Sequence, residues 1–263
     1  SSLPIDTVWH PDRGWQKNTI LNLALRHCRG DYLIFLDGDT IPRRDFVESH
    51  LNNARKKTFL SGAGIEVPKH VHQSFTDSQI TENMVFRPSF LAHVWPEVRK
   101  HSLRFNPRGL EKLLNVITWR YCVLRGANFS LWRSDIEDVN GFNESYGYGS
   151  EDRELGVRLR NNGVASRWLK FSLIQLHLSH EKGYINPKIL RQQRWKIRKL
   201  FFTRQARVSQ GIATACERSL ATAERKYTYT PATVVFKGPS LLRFTPREPT
   251  EGMTQTDKRK RVA

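Results

Sequence analysis

The segment Tyr32–Thr40, YLIFLDGDT, constrains this chain more than any other. Five consecutive apolar residues do not alternate between water and core, so they read as a buried central strand. The run stops at Asp37-Gly38-Asp39, which puts two carboxylates one residue apart where the strand ends. In open α/β sheets ligands bind at that end of the strands. Gly38 lets the backbone turn so that both carboxylates approach one centre. Paired hard oxygens suit Mg²⁺ or Mn²⁺, ions that share their coordination with substrate phosphates. The bland reading is an acidic turn after a strand, and Asp-x-Asp alone does not choose between the two.

The flanking pattern supports an α/β fold. Residues 16–28 place Ile20, Leu21, Leu23, Ala24, Leu25 and Cys28 mostly on one helical stripe, with Gly30 as the stop. Residues 45–56 read as a helix and 59–67 as a strand interrupted by glycines. Helix, strand, loop, helix, strand is the rhythm of an α/β sheet. Residues 68–118 read as long loops and short helices, and 121–133 as a strand around a glycine turn. Ser134 can cap a short helix through Val139, and Ser150 a helix from Glu151 to about Asn161. Residues 172–177 form another apolar strand, and Pro187 opens a strongly basic helix to about Gln205. Two units are expected: a folded domain over 1–205 and a basic, disordered tail over 206–263.

Composition narrows the class. Lys and Arg number 43 against 25 Asp and Glu, a formal charge of +18. Such a chain attracts nucleic acid, anionic membranes or phosphorylated substrates. No nucleic-acid-binding motif appears, so no nucleic-acid partner is expected. The three Cys form no CxxC pair, which fits reduced thiols and a cytoplasmic location. No apolar run is long enough to span a bilayer. The basic helix KILRQQRWKIRKLFF is compatible with lying at the inner membrane face. The preferred reading is a solvated basic helix that packs Ile, Leu and Trp inward.

Two further clusters carry chemistry. In Tyr146-Gly147-Tyr148-Gly149-Ser150-Glu151-Asp152, an aromatic, glycine-rich loop ends in two acids at a helix start. The helix dipole alone accounts for acids there. Functionally, one carboxylate could take a proton from a sugar hydroxyl while the Tyr rings cover the sugar face. Spacing does not decide which acid serves. In His177-Leu178-Ser179-His180, a His beyond a strand could join the acids in a mixed N/O site suited to Mn²⁺. An aspartyl-phosphatase reading of Asp37 and Asp39 fits less well, because Thr40 follows Asp39 where that family has Gly.

Several motifs now stand in order: Gly14-Trp15-Gln16-Lys17 with Asn22, RGDYLIFLDGDTIPRRDF, LRGANFSLWRSDIEDVNGFNESYGYGSEDRELGVRL and HLSH. Together they resemble family 2 glycosyltransferases of the GT-A fold. The second half is similar to the C-terminal domain of the β-1,4-galactosyltransferases. The resemblance covers about residues 8–200. It implies a three-layer α/β/α domain with a mixed sheet, and metal-dependent, inverting transfer from a nucleotide sugar, expected to be a UDP-sugar. The implied acceptor is a hydroxyl of a glycan or glycolipid, in cell-envelope polysaccharide or lipopolysaccharide synthesis.

By the same resemblance Asp37, Lys17, Asn22 and Asn128 lie on the donor side. Asp39 and His180 bind Mn²⁺ or Mg²⁺, with His177 as a second His ligand. Asp152 is the catalytic base, and Glu151, Tyr146 and Tyr148 bind the acceptor. The family's opening strand-helix-strand unit, with its Asp-Asp-Gly-Ser-type motif, is not found ahead of DTVWHPDRG. The domain is therefore expected to be N-terminally incomplete, and the alternative is a truncated, catalytically silent relative.

Overall fold

A computed structural model describes residues 5–10, 14–101, 109–117, 123–180 and 187–213. The chain is α/β, as its rhythm predicts. It runs α1 (Lys17–His27), β1 (Tyr32–Leu36), β2 (Thr40–Pro42), α2 (Phe46–Asn53), β3 (Thr58–Ser61) and β4 (Ala63–Val67). Short helices come next: α3 (Lys69–His72), α4 (Asp77–Thr81), α5 (Pro88–Val94) and α6 (Glu111–Ile117). Then come β5 (Asn128–Trp132), α7 (Arg133–Asp138), α8 (Glu151–Asn161), β6 (Ala165–Trp168), β7 (Ile174–Leu178) and α9 (Pro187–Thr203).

Among the described residues one sheet has the order β1-β5-β3-β6 and a smaller one β2-β7-β4. Both are mixed: β5 is antiparallel to β1 and β3, while β3 and β6 are parallel. In the smaller sheet β7 is antiparallel to β2 and parallel to β4. The segment 59–67 thus forms two strands in two sheets. Gly62 makes the switch, its N–H bonded to the Asn128 carbonyl at 2.9 Å. A Cβ there would overlap the Asn128 side-chain amide, so only glycine fits.

β1 departs from expectation. It pairs only with β5 among the described residues, which makes it an edge strand, and Leu36 is 42% exposed. Its apolar content still has a use: Phe35 stacks on Phe129 with centroids 4.2 Å apart and meets Phe142 edge-on at 5.7 Å. The main core gathers Leu25, Leu33, Phe59, Leu131, Leu155 and Leu159 behind the larger sheet. A second core, with Ile65, Val67, Leu91, Trp95, Ile174 and Leu176, sits between the smaller sheet and the short helices. That apolar partner is what folds the weakly patterned segment after residue 68.

A buried polar clamp fixes the loop that precedes α8. Arg158 and Glu154, one helical turn apart, are 0% and 1% exposed and pair at 2.8 Å. Arg158 also donates to the carbonyls of Val139 and Gly141 at 2.8 and 2.7 Å. A buried charge pair persists only where the remaining donors are satisfied, as they are here. From α1, Asn22 donates to the Phe142 carbonyl at 2.8 Å, and Asn18 to the Asn143 carbonyl at 2.7 Å. The loop is held from both sides.

The packed chain continues past α9. Asn161 donates to the carbonyls of Leu200 and Gln205, and Asn140 to that of Val208, which is 7% exposed. Residues 206–213, which sequence pattern assigns to the tail, therefore pack on the domain; residues 214–263 lie outside the described residues.

Candidate active site

The antiparallel register of β2 and β7 sets Thr40 opposite His177. Asp39, just before β2, is thereby carried to the end of β7, where its carbonyl accepts from the Leu178 N–H at 2.9 Å. The Asp39 Oδ2 atom lies 3.2 Å from His177 Nε2 and 2.9 Å from His180 Nε2. One ligand atom from each residue falls within 4.8 Å of the others. Asp39 Oδ1 is buried and has no hydrogen-bond partner. An orphaned carboxylate oxygen costs free energy unless something outside the chain's own donors satisfies it. Two imidazoles, a carboxylate and that open oxygen form a donor set fit for a divalent transition metal. The candidate ligands named from sequence are thus brought together.

Asp37 faces the other way. It forms an ion pair with Lys17 at 2.8 Å, and its carbonyl accepts from the Thr40 hydroxyl at 2.6 Å. Burial opposes the charge on Lys17, but Asp37 outweighs it, with smaller contributions from Glu151 and Asp152, and the ammonium pKa is raised. Lys17, Asp37, Glu151 and Asp152 line one narrow cleft of about 30 Å³ walled by Phe35 and Phe129. This cleft and the Asp39 cluster are one residue apart along the Asp37-Gly38-Asp39 turn.

The loop before α8 ends differently from the expectation. Ser150 precedes the helix but makes no side-chain cap, and its φ is 126°. Glu151 instead ties down the loop: its Oε2 accepts from the N–H groups of Gly149 and Ser150 at 2.8 and 2.9 Å. Burial, the largest influence, raises the Glu151 pKa, and Asp152 adds to it. Asp152 accepts from the Gly126 N–H at 3.2 Å and from the Arg153 N–H at 2.7 Å. Both acids reach the cleft, on unequal terms: Glu151 is engaged by its own loop, Asp152 by the glycine turn before β5.

The other residues named from sequence scatter. Tyr148 meets Trp15 edge-on at 4.8 Å, near Lys17. Trp15 is 38% exposed, and the motif it stands in gives it no role of its own. Tyr146 is 6% exposed and packs with Val157, Ile197 and Leu200, and burial pushes its hydroxyl pKa up. Asn22 is 0% exposed and its amide is spent on the loop at Phe142–Glu144. Asn128 is 1% exposed, on the inner side of the Gly62 switch, and donates to the Leu173 carbonyl at 3.2 Å. Neither Asn is brought to the cleft surface. Gly126, which no motif argument singles out, lines the cleft beside Asp152.

α9 packs directly on this loop. Gln193 donates to the Gly147 carbonyl at 3.1 Å, and a Cβ on Gly149, whose φ is +80°, would meet Leu190 at 2.7 Å. The buried stripe of the helix is Gln193, Ile197 and Leu200. The expectation that Trp195 packs inward is overturned: it is 66% exposed, and Phe202, two turns on, is 87% exposed. The 3.6-residue period explains this, because Trp195 lies between the buried positions 193 and 197 and not on their stripe.

Comparison with known proteins agrees with the motif order. Residues 7–132 match the model described as glycosyl transferase family 2. Residues 115–181 match the model described as the N-terminal domain of galactosyltransferase, where the sequence points to a C-terminal one. An uncharacterized glycosyltransferase, YfnE of Bacillus subtilis, is 27% identical over 188 residues, 60% of this chain and 47% of that protein. The chain therefore spans about half of this curated relative's length. A mannosyltransferase of Pyrobaculum calidifontis, solved in complex with GDP-Man and Mn²⁺, is 18% identical. The likeness covers 83% of this chain and 46% of that one, at a TM-score of 0.39. A mycobacterial protein of known structure is 18% identical over 76% of this chain and 54% of its own, at 0.35. At such scores the fold assignment rests on the sheets described above and not on the likeness. The two overlapping family matches cover the residues that build both the Asp39 cluster and the Asp152 cleft, and with the relative named as a glycosyltransferase they support a family 2 glycosyltransferase.

Proposed function

We propose that this chain transfers a sugar from a nucleotide-diphosphate sugar to an acceptor hydroxyl, with inversion and with a divalent metal. The observation that carries the reading is the meeting of Asp39, His177 and His180 one residue from the Lys17–Asp37 cleft that holds Asp152. The α/β architecture with mixed sheets is consistent with the GT-A fold that the family matches imply. The catalytic unit in this proposal extends at least to Ala213.

Asp39, His177 and His180 would hold the ion, and its chemistry there is to offset the charge that develops on the departing diphosphate. The imidazole pair favours Mn²⁺ over Mg²⁺, which prefers oxygen ligands and keeps its waters. Lys17 adds a fixed positive charge beside Asp37 on the donor side. Asp152 accepts the proton of the attacking hydroxyl. The acceptor oxygen bonds to the anomeric carbon as the bond from that carbon to the phosphate oxygen breaks, and the nucleoside diphosphate leaves with the electron pair. A single displacement inverts the anomeric centre. Glu151, through its two bonds to the loop, keeps Tyr148 and Trp15 in place at the acceptor side.

The test is turnover of a panel of UDP-, GDP- and dTDP-sugars by the full chain, with Mn²⁺, with Mg²⁺ and with chelator. Hydrolysis or transfer with Mn²⁺ that chelator removes is the expected result. No binding of any panel member by calorimetry at millimolar ligand would overturn the reading.

A finer part of the proposal concerns place. No helix among the described residues is long and apolar enough to cross a membrane. The outer face of α9 instead combines exposed Trp195 and Phe202 with Lys188, Arg191, Arg194, Arg198 and Lys199, and the helix has no acidic residue. That composition suits an anionic bilayer surface, and would bring a lipid-linked acceptor to the loop that α9 supports. Sedimentation with vesicles containing about one-third anionic lipid should pull down the chain. The Trp195→Ser/Phe202→Ser variant should lose about thirtyfold, since each exposed aromatic contributes on the order of 1 kcal/mol at an interface. Equal binding by the variant would remove α9 from the account.

A further inference from the structure

The cleft at Asp152 holds about 30 Å³, and a larger groove opens along β4, the strand that pairs with the His177 end of β7. It has a volume of about 640 Å³ and runs along β4, one of the two edge strands of the smaller sheet among the described residues. Its described lining includes Gly64, Glu66, His70, Trp95, His101 and Ser179. The groove is continuous with the candidate metal centre through the backbone. Glu66 stands opposite His177 in the parallel register of β4 and β7, and Ser179 lies between the two histidines. The Ser179 N–H bonds to the Val67 carbonyl at 3.0 Å, and its hydroxyl lies 3.4 Å from Glu66 Oε1.

The lining indicates what can bind. In a chain of net charge +18, the described lining has no Lys or Arg. A phosphate or nucleotide site uses such cations or a helix N-terminus, and the Glu66 carboxylate would repel an anion. Sugar hydroxyls are both donors and acceptors. A carboxylate, a hydroxyl and imidazoles match them. Gly64 leaves the floor open: a Cβ there would sit 3.7 Å from His177 Cβ, in ordinary contact, so the missing side chain is not forced by crowding. The volume lies within the range of small-molecule sites.

We propose that this groove binds an uncharged sugar ring of the acceptor, and that Glu66 is its main polar contact. The proposal rests on the glycosyl-transfer reading and deepens it, by making the part of the acceptor next to the metal a neutral glycan and not a phosphate.

The test uses saturation-transfer NMR on the full chain with methyl glycosides of glucose, galactose, mannose and N-acetylglucosamine, at up to about 50 mM, well above millimolar affinity. At least one glycoside should bind. Glu66→Ala should weaken it about tenfold, as loss of a charged hydrogen-bonding partner predicts, and Gly64→Val should weaken it by occupying the floor. Glu66 is exposed, so the first variant has no buried partner to strand. Absence of binding by every glycoside, or binding by both variants within about twofold of the parent, would overturn the proposal. Mn²⁺-dependent donor hydrolysis separates the two levels. If Glu66→Ala binds glycoside normally while hydrolysis still depends on Asp39, the groove assignment fails and the reaction stands. If Glu66→Ala loses the glycoside but the parent hydrolyses no sugar nucleotide, the sugar site stands and the reaction fails.

Discussion

Replacing Asp39 with alanine is expected to lower Mn²⁺-dependent turnover of the sugar nucleotide by about a thousandfold or more. The magnitude comes from the several kcal/mol that a bound cation contributes to a developing diphosphate charge, at 1.36 kcal/mol per tenfold in rate. Asp39 supplies the only carboxylate of the cluster among the described residues, and its Oδ2 is the atom both histidines approach, at 3.2 and 2.9 Å. The substitution keeps the backbone bond from the Leu178 N–H to the Asp39 carbonyl, so the β2–β7 pairing should survive. Thermal unfolding without metal should therefore change little, while Mn²⁺ binding measured by electron paramagnetic resonance should be lost. His177→Ala and His180→Ala each remove one neutral ligand and keep the carboxylate that suits Mn²⁺, so each should weaken Mn²⁺ less than Asp39→Ala. Unchanged Mn²⁺ affinity and turnover in Asp39→Ala would remove the metal assignment.

The parts of this site that are legible in the sequence are those where a local pattern forces a tertiary outcome. An apolar run that ends in Asp-Gly-Asp can be followed into a sheet, and a second strand ending in His-Leu-Ser-His can be set beside it. What pairs them is the register of Thr40 with His177, and no local pattern gives a register. Residues whose role depends on a partner distant in sequence are harder to read. Asn22 looks like a polar group on a ligand-side helix, yet its partners are at Phe142–Glu144. Asn128 comes after a glycine turn, yet it serves the Gly62 switch between sheets.

β1 reads as central because it is apolar throughout, but composition does not count a strand's neighbours, and it has β5 alone among the described residues. Ser150 is the preferred cap by residue type, but its φ of 126° makes it a turn residue and leaves the loop N–H groups to Glu151. The groove along β4 has no motif at all. Gly64, Glu66, Trp95 and Ser179 are scattered along the chain and meet only through the parallel pairing of β4 with β7 and the helices packed on it.

Spacing does not say whether Glu151 or Asp152 takes the proton, and the geometry supports a decision by substitution. Asp152→Asn is expected to reduce kcat by about a hundred- to ten-thousandfold, the range for a lost general base. Donor affinity should stay within about twofold, because the amide carbonyl can still accept from the Gly126 N–H and the side-chain volume is kept. Glu151→Gln should behave differently. Glu151 accepts two backbone N–H bonds with one carboxylate oxygen, and a neutral amide oxygen can keep them only more weakly. The loop should loosen, acceptor KM should rise by about tenfold, and kcat should fall much less, as for a group that positions others. The raised pKa of Glu151, caused chiefly by burial, fits that role, since the group faces a cleft where its charged form is disfavoured. Steady-state kinetics with varied acceptor at saturating donor decide the matter. A large kcat loss in Glu151→Gln together with a KM effect alone in Asp152→Asn would exchange the two assignments. Equal, small effects in both would place the base outside α8.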